Sequence, residues 1–215
     1  TVIIKHANPC GVSIDKNKEK SYLKALACDP LSAFGGIVSC NFKVTKKIAQ
    51  ELNKIFLEVI IGIGFEKQAL KILKSKKNLR IIDSSSLLPN SSESLVSKFE
   101  SFLAQTQDND IFSNKNFRIV SKKQPSKKTL KNLIFAFNIS RFVKSNAIVI
   151  AKDLSTIGIG SGQPSRVASC KIAISKMSQI KEMDRDNLVA ASDAFFPFTD
   201  GIEKLVQEGI TAIIQ

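Results

Sequence analysis

The sequence is short of the residues that build metal and disulfide sites. Its 215 residues contain one histidine and four cysteines, and the cysteines (Cys10, Cys28, Cys40 and Cys170) show no paired spacing. One histidine and scattered cysteines do not provide the ligands of a zinc site, so we expect no metal. Unpaired cysteines are typical of reduced thiols, which predicts a cytoplasmic protein.

Long hydrophobic runs are also missing. A membrane-spanning helix needs about 18 or more consecutive apolar residues, and the longest candidate, residues 56–64, is interrupted by Glu58. We therefore expect no membrane association. The sequence begins at Thr1 within a strand-like segment, without a methionine or a signal-peptide pattern, and it ends within another such segment. These ends predict a fragment of a longer protein.

Positive charge is abundant, with a formal net charge of +13, but only five of the 32 basic residues are arginine. The lysines form small clusters at 16–20, 74–77 and 122–128, without interleaved aromatic residues. This pattern favours solvated lysine faces over a nucleic-acid-binding surface, although a basic nucleic-acid-binding module stays open as an alternative. An anionic small-molecule substrate is compatible with the charge.

Short apolar runs alternate with segments of helical periodicity, which predicts a layered α/β fold. A strand is expected at residues 2–5, followed by a loop at 6–11. A polar stretch at residues 83–114 precedes the boundary between a first lobe, residues 1–117, and a second lobe, residues 118–215. We expect the second lobe to open with a strand at 117–121 and a helix that is N-capped by Ser126.

Four segments combine glycine or proline with polar side chains near strand ends, where α/β folds bind ligands. In residues 5–11, Lys5 and His6 place a cation beside a titratable base. Residues 29–36 contain paired glycines, residues 156–166 contain three glycines before a helix, and residues 192–201 contain three phenylalanines flanked by acids. Taken singly, the first three are better explained by a turn or a glycine-rich connection, and core packing explains the phenylalanine segment as well as a ligand does.

Taken together, these segments resemble the aminoimidazole carboxamide ribonucleotide (AICAR) transformylase domain of bifunctional purine-biosynthesis proteins. The resemblance extends over residues 5–11, 29–36, 142–150, 156–166, 192–198 and 209–215. It implies a cytidine-deaminase-like α/β/α fold in two related lobes and a homodimer. The implied reaction is formyl transfer from 10-formyltetrahydrofolate to the 5-amino group of AICAR, giving FAICAR, in a parent that also carries an IMP cyclohydrolase domain.

The resemblance also implies roles for individual residues. His6 corresponds to the proton acceptor, and Lys5 and Asn146 to stabilisers of the transition state. The implied contacts to the nucleotide are Phe34, Gly35, Glu58, Asn146 and Arg166. Those to the folate are Val167, Phe195 and Asp200. The family's segments before Lys5 and after residue 215 carry further site residues, so the expectation is the core of a site. A zinc-independent deaminase-fold nucleotide-binding protein is the other alternative.

Overall fold

A computed structural model of the protein describes residues 1–86, 94–106, 108, 110, 112, 113, 115–180 and 184–215. These residues form two main β-sheets with helices packed against them, which confirms the predicted α/β class. The division into two lobes at residues 117 and 118 stays a prediction, as does the cytidine-deaminase-like fold.

The first sheet has five strands in the order β2-β1-β3-β4-β5. Its strands are β1 (Val2–Lys5), β2 (Asn8–Val12), β3 (Gly36–Cys40), β4 (Leu57–Gly62) and β5 (Arg80–Asp83). Strand β1 runs antiparallel to both of its neighbours, whereas β3, β4 and β5 are parallel. We call the part of the protein that contains this sheet the first half, and the part that contains the four-stranded sheet described below the second half. The helices of the first half are α1 (Lys18–Cys28), α2 (Pro30–Ala33), α3 (Lys46–Leu52) and α4 (Lys67–Leu73).

The loop predicted at residues 6–11 is wrong, because only His6 and Ala7 connect β1 to β2. Strand β2 pairs with β1 from Asn8 onward, although it contains Pro9 and a glycine. These residues suggest a loop, but β2 lies at the edge of the sheet, where a missing backbone N–H is tolerated. The segment is therefore a tight hairpin, which fixes the positions of Lys5 and His6.

The second sheet has four strands in the order β11-β10-β8-β9. Its strands are β8 (Ile148–Lys152), β9 (Ser155–Gly160), β10 (Leu188–Ser192) and β11 (Ile210–Ile214). Its helices are α5 (Lys127–Ser140), α6 (Arg166–Ser178) and α7 (Asp200–Gln207). A separate hairpin consists of β6 (Ser94–Lys98) and β7 (Ser101–Gln105).

The N-cap of α5 is confirmed, since the Ser126 hydroxyl accepts a hydrogen bond from the Thr129 amide at 3.1 Å. The strand predicted at 117–121 is wrong, because those residues have no regular secondary structure. Val120 is 83% exposed. The apolar residues of this segment therefore do not mark a buried strand.

The two sheets meet where their edge strands β2 and β9 face each other. The Ser13 and Ser155 hydroxyls lie 2.7 Å apart, and the Val12 amide donates to the Thr156 hydroxyl at 2.9 Å. Helix α1 contacts both strands, and its last residue, Cys28, belongs to the same apolar cluster as β8 and β10. The two halves therefore share part of one core.

All four cysteines are free and buried. Burial raises the pKa of the Cys28 thiol to about 12 and that of Cys170 to about 11. Both thiols are protonated at neutral pH, which makes them poor nucleophiles. Within the described ranges, no helix is both long and apolar enough to cross a membrane.

Candidate active site

The turn between β1 and β2 presents His6 at the surface in an unusual backbone conformation. His6 has φ +53° and Ala7 has φ +58°, and two consecutive positive φ angles define a type I′ turn. Asparagine and glycine are the residues that favour this turn, because other side chains crowd the backbone at a cost of about 1–2 kcal/mol each. Such strain is characteristic of functional sites.

The Lys5 ammonium group is anchored to the backbone that follows α2. Its Nζ donates a hydrogen bond to the carbonyl oxygen of Phe34. Gly35 then turns with φ +70° and donates its amide to the carbonyl of Phe56 at 2.9 Å. The Phe34 and Phe56 rings lie 5.4 Å apart between centroids, and Phe34 is 60% exposed. The structure thus brings together Lys5, Phe34 and Gly35.

Glu58 is the second residue of β4. It is exposed in β4, where the pairing with β3 shifts by one residue, so that Leu57 pairs with Gly36 and Val59 with Ile37. Within the part of the chain that the structure describes, Glu58 has no hydrogen bond or ion pair from its side chain. Its predicted contact with a nucleotide stays a prediction.

A cavity of about 220 Å³ lies where the two halves meet, beside the Lys5–His6 turn. Its polar lining comes from both halves: Lys5, His6, Asn8, Asp29, Ser32, Ser161 and Lys176. Lysine, histidine, serine and asparagine can bind anionic and hydrogen-bonding groups. The cavity therefore offers a polar environment next to a cation and a base.

An ion pair that the sequence did not predict connects the halves at this cavity. The carboxylate of Asp29, which is 8% exposed, accepts a hydrogen bond from the Ser32 amide at 3.0 Å and so caps α2. It also pairs with the ammonium group of Lys176 in the last turn of α6. Since α2 leads directly to Phe34, this pair helps to fix the backbone that holds Lys5.

Asn146 and Arg166 are in direct contact. The Arg166 guanidinium donates to the Asn146 side-chain oxygen at 2.9 Å, and the Asn146 side-chain nitrogen donates to the Gln163 carbonyl at 2.8 Å. The other guanidinium nitrogen donates to the Ser192 hydroxyl at 2.8 Å and pairs with Asp193. Two residues that the resemblance assigns to the nucleotide site therefore belong to one hydrogen-bond network.

Asp193 holds this network together. Burial disfavours its ionised form, but hydrogen bonds from the Ser145 hydroxyl, the Ala147 amide and Arg166 outweigh this effect, so that its pKa is lowered from the usual value. The carboxylate is thus charged at neutral pH and fixes Arg166. The sequence placed Asp193 only among acids flanking phenylalanines, without a role.

Asn8 connects the Lys5–His6 turn to the segments around Asn146. Its side-chain nitrogen donates to the Ser161 hydroxyl at 2.8 Å, and its side-chain oxygen accepts from the Lys144 amide at 3.1 Å. Lys144 precedes Asn146 by two residues. The turn and the Asn146–Arg166 network are therefore joined by a short path through one side chain.

Comparison with known proteins shows the family of this chain. The family model described as AICARFT/IMPCHase bienzyme matches residues 1–176. This chain belongs to that family. Relatives named bifunctional purine biosynthesis protein PurH are 45% identical in Chelativorans sp. (strain BNC1), 42% in Acetivibrio thermocellus and 44% in Brucella anthropi. The matches cover 99%, 100% and 99% of this chain, but the chain spans only 41% of each relative.

The glycine-rich segment of this AICARFT/IMPCHase family member packs against a helix. A Cβ atom added to Gly160 would lie 1.9 Å from the carbonyl oxygen of Ser169 in α6, and one added to Gly158 would lie 2.1 Å from that of Ala173. These two glycines allow β9 and α6 to approach closely. The structure thus gives these two glycines a packing role.

Two of the three residues that the family resemblance assigns to the folate lie in the first turns of α6 and α7. Val167 is the second residue of α6, Asp200 is the first residue of α7, and Phe195 is 69% exposed. Between the helices, the half-buried Phe196 ring lies 5.9 Å from the Arg166 guanidinium and packs near Gly201. Neighbouring phenylalanines of this segment therefore have different environments: Phe196 packs against the core, and Phe195 is accessible.

Across residues 1–86 and the other described ranges, no group of three or more histidine, cysteine, aspartate or glutamate residues could hold a metal ion.

Proposed function

We propose that this chain supplies the core of an AICAR transformylase site, in which a formyl group passes from 10-formyltetrahydrofolate to the 5-amino group of AICAR, giving FAICAR. The observation that carries the proposal is the strained turn that places His6 beside the anchored Lys5 at a cavity between the halves. Membership of the family and the contact between Asn146 and Arg166 support it.

His6 is proposed as the base. The amine of AICAR is conjugated with its ring and is a weak nucleophile, so a proton must leave as its nitrogen attacks the formyl carbon. An exposed imidazole in a fixed turn can accept that proton, a contribution of typically about 10²–10⁴-fold in rate. When the bond from the formyl carbon to folate N10 breaks, the imidazolium can return the proton to N10.

Lys5 and Asn146 are proposed to stabilise the negative charge on the formyl oxygen. The Lys5 ammonium group has three N–H donors and gives one to Phe34, so two remain for the substrate. The Asn146 side-chain nitrogen has two N–H donors and gives one to Gln163. Loss of one such donor typically costs about 10²–10³-fold in rate.

Phe34, Gly35, Glu58, Asn146 and Arg166 are proposed to contact the nucleotide. We further propose that Val167, Phe195 and Asp200 contact the folate, that the full-length protein is a cytoplasmic homodimer, and that the rest of the parent carries the IMP cyclohydrolase domain. The accessible Phe195 ring, in the segment between β10 and α7, offers a flat apolar surface suited to a heterocycle.

The test replaces His6 by asparagine in the full-length protein. Because asparagine favours the left-handed conformation of a type I′ turn, His6→Asn removes the base without disturbing the turn, whereas His6→Ala keeps a residue that the turn disfavours. We expect formyl transfer to fall by about 10²–10⁴-fold in both variants, with AICAR binding retained. Turnover close to that of the wild type in His6→Asn would contradict the role of His6.

A further inference from the structure

The hairpin residues alone do not account for the conformation of the His6 turn. Alanine is disfavoured at positive φ, and histidine, although more frequent there than most residues, is not one of the preferred residues of a type I′ turn. His6 and Ala7 nevertheless form this turn, and Lys5 pairs with Asn8 across it. A conformation that costs free energy persists where its surroundings hold it in place. The residue that follows the turn is the half-buried Asn8.

Asn8 is bonded to the second half of the protein through both ends of its amide. Ser161 accepts from its nitrogen at 2.8 Å, and the Lys144 amide donates to its oxygen at 3.1 Å. These partners are 153 and 136 residues away in sequence. Two bonds of opposite polarity fix both the position and the rotation of the amide plane, which an apolar contact would not do.

We propose that Asn8 is a positioning residue for His6, acting by locking the left-handed turn against the backbone that leads to Asn146. The proposal rests on the proposed function, because it assigns Asn8 a role in presenting the His6 base. Asn8 itself need not touch either substrate.

Other contacts also hold the two halves together. The effect of Asn8 on the turn can therefore be tested separately from the association of the halves. The Asp29–Lys176 ion pair, the Ser13–Ser155 hydroxyl contact and the bond from Val12 to Thr156 do not involve Asn8. We therefore expect an Asn8 variant to stay folded with its halves together. What changes is the freedom of the turn to leave its positive φ angles.

The first measurement is steady-state kinetics of formyl transfer by the full-length Asn8→Ala variant. A misplacement on the order of 1 Å can cost about 10²-fold in rate, so we expect kcat to fall by about 10–100-fold while the KM for AICAR changes by less than about threefold. Ser161→Ala removes only one of the two bonds, and we expect a smaller fall in kcat. Thermal unfolding and AICAR binding serve as checks of folding.

The second measurement is a rescue that only the positioning mechanism predicts. Glycine adopts positive φ without steric cost and is favoured at the second position of a type I′ turn. Adding Ala7→Gly to Asn8→Ala should therefore recover kcat by several-fold, up to about tenfold. Ala7→Gly alone should leave kcat close to that of the wild type.

The outcomes separate this inference from the function on which it rests. Substantial activity in His6→Asn would overturn the proposed base and the positioning role with it. An inactive His6→Asn variant together with an unchanged kcat in Asn8→Ala, a change in KM alone, or no recovery on adding Ala7→Gly would overturn only the role of Asn8. A selective fall in kcat that Ala7→Gly partly restores supports the inference.

Discussion

The ammonium group of Lys5 is bonded to the carbonyl oxygen of Phe34, 29 residues further along the chain. Phe34 ends α2 and precedes the left-handed Gly35. A long flexible side chain is thereby held by the backbone of a turn. The backbone angles of Gly35 therefore help to determine where the cation lies relative to His6.

Gly35→Ala tests this dependence. A side chain at φ +70° costs about 1–2 kcal/mol, although a Cβ atom would make ordinary contacts, 3.6 Å from both Lys5 Nζ and the Phe56 ring. We expect the turn to relax and shift the Phe34 carbonyl, so that kcat for formyl transfer falls by about 10–100-fold. Steady-state kinetics of the full-length variant check this.

Gly64→Ala is the matched control, since Gly64 has φ +84° and its nearest neighbour would be the Lys43 side chain at 3.7 Å. It carries a similar backbone cost away from Lys5. We expect it to lower the unfolding temperature about as much as Gly35→Ala does while leaving kcat unchanged. Equal losses of kcat in the two variants would show that general destabilisation is the cause.

Asp193→Asn should destabilise the protein at neutral pH, because it removes the charge that pairs with the nearly buried Arg166. Hydrogen bonds to charged groups contribute about 1.5–3 kcal/mol, and we expect a loss of this size in the free energy of unfolding at pH 7. Urea denaturation measures it. Ser145→Ala removes one neutral donor to the same carboxylate and should cost less.

The effect of Asp193→Asn should also depend on pH in a defined direction. The folded-state pKa of Asp193 is lowered, so its stabilisation is fully present above the unfolded-state pKa of about 3.9 and is lost as pH falls through the folded-state value. The difference in free energy of unfolding between the wild type and the variant should therefore be constant from about pH 5 to about pH 7 and shrink below about pH 4. A difference that stays constant down to about pH 3 would contradict the pKa shift.

Gly160→Ala should be strongly destabilising, because its Cβ atom would lie 1.9 Å from the carbonyl oxygen of Ser169. Backbone atoms of β9 and α6 would have to separate, and overpacking of this kind typically costs about 1–3 kcal/mol or more. Gly162→Ala provides the control, since it has φ +66° but no atom within 4 Å of the added carbon. Denaturation midpoints should place Gly160→Ala below Gly162→Ala.

Much of the fold could be predicted from local patterns. The alternation of apolar runs with helical periodicity predicted the α/β class and strand β1, and Ser126 marked the start of α5 because its hydroxyl caps the helix. Local patterns failed where tertiary context decided the structure. Pro9 indicated a loop but lies in an edge strand, and the apolar residues near Val120 indicated a strand that does not form.

The candidate site could be predicted only in part, for a related reason. Lys5 and His6 are adjacent in sequence, and the family resemblance added Asn146 and Arg166. The contacts that organise them link distant parts of the chain: Asn8 with Ser161, and Asp29 with Lys176. Such pairs have no local sequence pattern, because their partners are chosen by how the two sheets pack.

The meeting of β2 and β9 also shields the protein from a hazard common to β-sheets. Each lies at an edge of its own sheet, where unpaired backbone groups can recruit strands from other molecules. Here each edge covers the other, through contacts such as the bond from the Ile14 amide to the Leu154 carbonyl at 2.9 Å. If the two halves were produced as separate proteins, divided near residue 117, both edges would be exposed, and we expect each half to self-associate.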